Sequence, residues 1–410
     1  MERELMSEKK LFWQDWALLI SLATFKTTII GFYMIALVTM LKDQGFTLNQ
    51  LSWIYMLAMI EAAAFLISPL IERFSFKSFG QFKSWLFISN LAMLFGFIGF
   101  YFIDPQRDIL FLLIICAVFC LMSLIFSCAV LGLTCRLLPF KKRGYGGAIQ
   151  VAGARLGRMV GGGLALYCYQ HFGWNAAISL MVGLSSLLAL QLLCYREAEM
   201  PVAKADAMGL PMLFKRLFTF WQRPNSGFSW FCLLFLSCIP CALVATTFIP
   251  RLSEMGWQPQ NIGLLLAIIV PLVCIVVVPL SGYLLQKYSR FQMVNWILLI
   301  QIALVFGFVY SDNLLEWQSE WIALPIILLS LAYSFMLPIV LTLLMDKAEP
   351  HFVTLDTALQ YSAVLLGVYP ANFFALRIAN LWGYNSVYII ATGFAIAVWL
   401  LAYVTRQRNF

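Results

Sequence analysis

Charge is what this chain has least of. Asp, Glu, Lys and Arg together make up 11% of its 410 residues, against about 25% in soluble domains, which excludes a water-exposed globule. Histidine is nearly missing, with 2 in the chain. Membrane acyltransferases and hydrolases need a catalytic histidine or acid cluster, and the single HxxxxD pairing, His351 with Asp356, has no supporting motif around it, so an enzyme is not expected. No GxxxxGK[ST] loop occurs, which excludes an ATP-driven pump of that type. The 10 cysteines form no framework. The one CxxC, Cys238 and Cys241, encloses Ile239 and Pro240 in an apolar run and reads as small apolar filler. No metal site and no cofactor are expected. The N-terminal stretch MERELMSEKKLFWQDW lacks a small-residue cleavage site after a short apolar core, so the first helix is expected to be retained. Neither a separate soluble domain nor an appended signalling domain is expected, which argues against a nutrient sensor.

Apolar surface fills the space that charge leaves. Hydrophobic residues are 62% of the chain and its mean hydropathy is +0.87. Runs able to cross about 30 Å of hydrocarbon, which takes about 20 helical residues, recur throughout. The pattern predicts twelve spans, at 14–41, 51–71, 83–103, 109–136, 145–169, 174–195, 227–250, 260–285, 291–311, 319–345, 355–379 and 383–405. Lipid offers no partner to a free backbone group and the runs lack strand alternation, so the spans are helices and the fold is all-α. Two halves follow, 1–195 and 227–410, joined by a charged and proline-bearing loop at 196–226, the arrangement of internal repeats that transporters use.

Cations gather on one side. The N-terminal tail, the loop carrying Arg73, Lys77 and Lys83, the loop carrying Arg136, Lys141, Lys142 and Arg143, the central loop, Lys287 and Arg290, Lys347, and Arg406 and Arg408 all fall there; the opposite loops hold Lys42, Arg107 and Arg251, with Arg377 at the end of span 11. Both termini are therefore expected in the cytoplasm. The net charge of +8 is mostly topology signal and implies no nucleic-acid partner.

Three cations remain inside predicted spans: Lys26, Arg155 and Arg158. Arginine cannot shed its charge, and a spacing of three residues places the two guanidinium groups one turn apart on span 5. A polar, anionic or carbonyl-rich solute in a cavity is the expected reason for them, with packing support as the alternative. Gly153, Gly157 and Gly161, at fourfold spacing on the same span, form a face for close helix contact and are expected to neighbour the arginines. Lys26 lies about ten residues from either end of span 1, too deep for its stem to carry the ammonium out; a cavity position or an ion pair follows. Gln150 adds an amide to the cavity or makes an interhelical hydrogen bond. Glu61, midway along span 2, is the acid placed for proton coupling, or for a fixed ion pair with Lys26 or an arginine. Asp356 and Gln360, one turn apart at the start of span 11, offer a capping, coupling or ion-pairing acid and a binding amide. Pro240, Pro271, Pro279, Pro325, Pro338 and Pro370 predict kinks concentrated in the second half.

Two loops at matching positions, SPLIERFSFKSFG after span 2 and SGYLLQKYSRFQ after span 8, resemble degraded copies of the major facilitator loop motif GxLxDRxGRR. Glu72 and Arg73 match its acid and first base, and Gln286 replaces the acid in the second copy. The resemblance makes Glu72 and Arg73 gating-loop residues. A closer resemblance covers Leu137 to Ala177, which is similar to the muropeptide permease and ferric siderophore permease branch of the major facilitator superfamily at Arg143, Gly144, Gly147, Gln150, Gly153, Arg155, Gly157 and Gly161 to Gly163. TLDTALQYS, with Asp356, Leu359 and Gln360, fits the same branch at the start of span 11.

Departures stand beside these matches. Relatives carry acids near the end of span 4; here LGLTCRLL has none and Arg136 takes one of their positions. Ala154 replaces the tyrosine before the family arginine, and Arg158 is an added charge. The resemblance implies a secondary transporter of the bacterial inner membrane, working as a monomer in the bilayer on a small polar or anionic solute by alternating access. Muropeptide permeases tend to be longer, so length favours proton-driven import of a ferric siderophore, with an anhydromuropeptide permease or an exporter of another anionic solute as the alternative.

Overall fold

The computed structural model describes residues 12–46, 60, 63–74, 80–103, 108–197, 209–223, 226–310 and 322–409, and these are helical, with no strand among them. The spanning helices are α1 (Trp13–Asp43), α2 (Ala64–Arg73), α3 (Gln81–Gly99), α4 (Ile109–Leu137), α5 (143–172), α6 (Trp174–Cys194), α7 (Phe228–Glu254), α8 (Asn261–Lys287), α9 (Arg290–Val309), α10 (Ala323–Lys347), α11 (Val353–Trp382) and α12 (Tyr384–Val404). A short linker helix, Leu210–Thr219, lies between α6 and α7. Among the described residues, 10 helices are long and apolar enough to cross a membrane. The other two are α2, whose predicted span lies mostly outside the described residues, and α5, where glycines and Arg143, Arg155 and Arg158 dilute the apolar run.

The prolines act as their missing N–H groups require. At Pro240, α7 breaks between Phe228–Ser237 and Ile239–Glu254. At Pro271, α8 passes through a π-helical turn, Leu264–Ile269, immediately before the ring. Pro279, Pro338 and Pro370 lie within helices.

The chain forms two compact units: Met1–Phe140 with Ala152–Arg216 and Ala348–Ala358, and Lys141–Val151 with Leu217–Lys347 and Leu359–Phe410. In the first, α3 packs on α4 and α6, while α1 packs on α4, α5 and α6. In the second, α9 packs on α10 and α12, while α7 packs on α10 and α12. The same neighbour order thus occurs twice, as an internal repeat demands. Backbone punctuation repeats with it: Gly173 (φ 82°) turns α5 into α6, and Gly383 (φ 80°) turns α11 into α12, a conformation that costs glycine little. Each unit has its own aromatic core. Phe32, Phe97, Phe100 and Phe119 interlock at centroid distances of 4.6 to 6.4 Å in the first. Phe248, Phe308 and Tyr388 do so at 5.9 and 5.5 Å in the second.

Candidate functional site

The glycines of α5 build a tight crossing with α1 inside the first unit. A Cβ at Gly153 would sit 2.8 Å from the Ala23 Cβ, one at Gly157 would strike the Thr24 carbonyl and the Thr27 hydroxyl, and one at Gly161 would strike the Thr28 carbonyl. From the other side, a Cβ at Gly31 would meet the Arg158 Cα and the Gly162 amide nitrogen at 3.1 Å each. With the backbones this close, the Thr27 hydroxyl donates to the Gly153 carbonyl at 3.1 Å. Both helices widen into π-helical turns beside the crossing, at Phe32–Ala36 and Met159–Leu164, a distortion frequent at functional sites. Gly161→Ala is expected to cost about 1–3 kcal/mol, because neither backbone can yield; thermal unfolding of the purified protein measures it, and an unchanged midpoint would refute the crossing.

Lys26 and Arg155 share one level of this crossing, since Gly153 and Gly157 meet residues 23 to 28. Both are half-buried and Arg158 is exposed. One expectation is corrected: at about 100° per residue Arg155 stands roughly 160–200° from Gly153 and Gly157, opposite the seam rather than beside it. Arg158 keeps the expected place beside the seam, about 60° from Gly161 and with its Cα in the path of a Cβ at Gly31, so only Arg155 faces away from it. Gln150 is buried and belongs to the second unit. Glu61 lies outside the described residues.

Glu72, one residue beyond the predicted end of span 2, is fully buried. Its Oε1 accepts from the backbone amides of Thr354 and of Leu355 (3.4 Å), and its Oε2 accepts from Gln81 at 3.3 Å. Thr354 and Leu355 form the first turn of α11, whose free amides and dipole favour a carboxylate. The two amides and the nearby Arg136 guanidinium supply the positive potential that a buried carboxylate requires. Arg136 donates to Gln81 Oε1 at 2.9 Å, lies 3.8 Å from Glu197 and stacks 4.5 Å from the Phe82 ring centroid. Glu197 in turn caps α3, accepting from the Lys83 amide at 2.8 Å. Arg136, near the end of α4, is therefore matched by an acid just past the end of α6. Arg73 is half-buried, its guanidinium carbon 6.0 Å from the Phe74 ring centroid.

Asp356 is fully buried in the first turn of α11. Arg216 of the linker helix grips it in a fork, Nε to Oδ1 at 3.3 Å and Nη2 to Oδ2 at 3.1 Å, and also reaches Glu349 at 2.7 Å and the Phe352 ring at 3.7 Å. The Glu349 amide donates to Asp356 Oδ2 at 3.1 Å. Asp356 thus takes the ion-pairing role together with one backbone donor from the turn before α11, while the free amides of Thr354 and Leu355 that it was expected to cap go to Glu72. Gln360, fully buried in the second unit, accepts from Trp230 Nε1 at 2.8 Å and donates to the Leu344 carbonyl at 3.2 Å, so its oxygen and one N–H already serve interhelical bonds.

A further cluster escaped the sequence reading. Asp346, at the end of α10, accepts from Arg143 at 3.2 Å and from Arg290 at 2.9 Å, while Arg143 also donates to the Met345 carbonyl at 2.7 Å. Arg143 heads α5, where a Cβ on Gly144 or Gly147 would strike Leu285 or the Pro338 carbonyl. Setting the end of α10 against the end of α4 would have found it: the repeat has an acid bound by two arginines in one copy and an arginine bound by an acid in the other.

These features define an all-α polytopic membrane protein made of a repeated bundle, with charge networks at matching helix ends and three cations on α1 and α5. A family model described as Major Facilitator Superfamily matches residues 17–368, and the chain belongs to that superfamily. It is 27% identical over 244 residues to the anhydromuropeptide permease of Escherichia coli strain K12, covering 56% of this chain and 46% of that protein. It is 23% identical over 124 residues to the putative transporter AmpG 1 of Rickettsia felis, covering 29% and 28% of the two chains. The chain thus spans less than half the length of these curated relatives. In fold it is similar to the transporter FucP in the outward conformation, with a TM-score of 0.72 at 13% identity over 96% of this chain and 98% of that one. The human organic anion transporter MFSD10 gives 0.69 at 14% identity, over 95% and 99%. The relatives do not support the expectation of ferric siderophore import. It rested on chain length alone, an analogy that involves no contact with a solute.

Proposed function

We propose that the chain is a secondary transporter of the bacterial inner membrane that carries an anhydromuropeptide or a closely similar anionic sugar–peptide by alternating access, driven by the proton gradient. The observation that carries the solute's chemistry is the set of cations on two locked helices: Lys26 and Arg155 at one level of the α1–α5 crossing, with Arg158 one turn on. Guanidinium groups suit carboxylates and amide carbonyls, which a peptide stem supplies. The family match and the name of the Escherichia coli relative support the reading. In it, Glu72 and Arg73 belong to a gate.

Uptake into proteoliposomes tests this, with labelled anhydromuropeptide and a labelled ferric siderophore run in parallel under an imposed pH gradient. The expected outcome is gradient-dependent accumulation of the muropeptide alone. Arg155→Ala should lower uptake by about tenfold or more, the equivalent of about 1.4 kcal/mol or more of lost binding, with Arg155→Lys between the two. Normal uptake by both variants would remove Arg155 from the site, and accumulation of the iron chelate alone would overturn the choice of solute.

A further inference from the structure

The linker helix Leu210–Thr219 has two unlike faces. Leu213 and Leu217 are buried, as is Phe220 in the turn that follows, and Arg216 beside them is committed to Asp356 and Glu349. This face is held by protein. The rest of the circumference presents Met212 at 58% exposure, Phe214 at 37% and Phe218 at 76%, with Lys215 exposed among them. Large apolar side chains grouped around a lysine on one helix face are the pattern of a helix lying in a bilayer interface rather than in water.

The helix also leads directly into the lipid-facing surface. Past Phe220, the Trp221 ring packs edge-on against Phe231 at 5.2 Å, and Phe231 stacks with Phe228 at 6.2 Å and Phe235 at 6.0 Å. These three phenylalanines stand on the first turns of the spanning helix α7, and Phe228 is 76% exposed. The aromatic row therefore joins the linker helix to the mouth of a span, where the polar headgroups begin. A protein partner fits less well: a specific interface buries about 800 Å² on each side, more than one face of a ten-residue helix offers. We propose that the linker helix is an interfacial anchor, with Phe214 and Phe218 in the acyl–headgroup boundary and Lys215 on an anionic phospholipid headgroup. Its opposite face then presents Arg216 to Asp356 from a fixed depth, so that the bilayer orders the head of α11.

The test places the photoreactive amino acid p-benzoylphenylalanine at Phe218 or Phe214 of the full chain, in proteoliposomes of phosphatidylethanolamine and phosphatidylglycerol, and identifies adducts by mass spectrometry. The buried position Phe220 serves as control. Phospholipid adducts at 218 and 214, several-fold above those at 220, are the expected result. Adducts to a second copy of the chain, or no lipid adduct at either position, would overturn the anchor. Lys215→Glu should lower the phosphatidylglycerol share of the adducts; an unchanged share would overturn the headgroup contact.

Discussion

Asp346→Ala is expected to destabilise the protein by about 3–5 kcal/mol, the cost of leaving buried charges without their counter-ion. Two guanidinium groups converge on this one carboxylate, Arg143 at 3.2 Å and Arg290 at 2.9 Å, and the three side chains are only 15%, 13% and 10% exposed. Removing the acid takes this carboxylate from both cations, while Arg143 keeps the Met345 carbonyl and Arg290 the Leu285 carbonyl. Removing either arginine leaves the carboxylate one partner, so Arg143→Ala and Arg290→Ala should each cost less than Asp346→Ala. Asp346→Asn keeps the hydrogen-bond acceptor and should fall between. Chemical unfolding of the detergent-solubilised protein measures the order. A cost for Asp346→Ala within about 1 kcal/mol of wild type, the level of an ordinary surface change, would show that water screens the cluster.

The spanning helices were legible in the sequence because lipid makes the rule simple: an apolar run of sufficient length has one available conformation. Apart from span 2, most of which lies outside the described residues, predicted and observed limits agree to within a few residues, from α1 at 14–41, observed as Trp13–Asp43, to α12 at 383–405, observed as Tyr384–Val404. The repeat was legible too, through its loop motifs. The direction of Arg155 was misjudged by an error of phase rather than of residue type, since positions two apart on a helix face nearly opposite ways. The ion pairs were out of reach for a different reason. Arg143 and Asp346 are separated by 203 positions, and Arg216 and Asp356 by 140. Sequence distance conceals such partners unless the two copies of the repeat are set side by side. Arg216 carried a further disguise, since a basic residue in a loop on the cation-rich side reads as topology signal and its second task leaves no mark on the pattern.

That second task makes Arg216→Ala the other change of large effect. Asp356 is fully buried, and its two oxygens receive the Arg216 fork and the Glu349 amide. With the arginine gone, a carboxylate enclosed in protein loses the bidentate counter-ion that the Arg216 fork supplies, at an expected cost of about 3–5 kcal/mol. Asp356→Asn should cost less, because the amide can accept from Glu349 and Arg216 retains Glu349 Oε2 at 2.7 Å. Glu349 itself is 46% exposed, so Glu349→Ala should cost no more than about 1 kcal/mol. The double-mutant cycle is decisive. If Arg216 stabilises chiefly by neutralising Asp356, the pair Arg216→Ala with Asp356→Asn should be more stable than the sum of the single changes by about 1–3 kcal/mol. Strict additivity would mean that Arg216 acts through its contact with the Phe352 ring, 3.7 Å from the guanidinium carbon. The linker helix would then be attached to the head of α11 by packing rather than by charge, and neutralising Asp356 would leave that attachment intact.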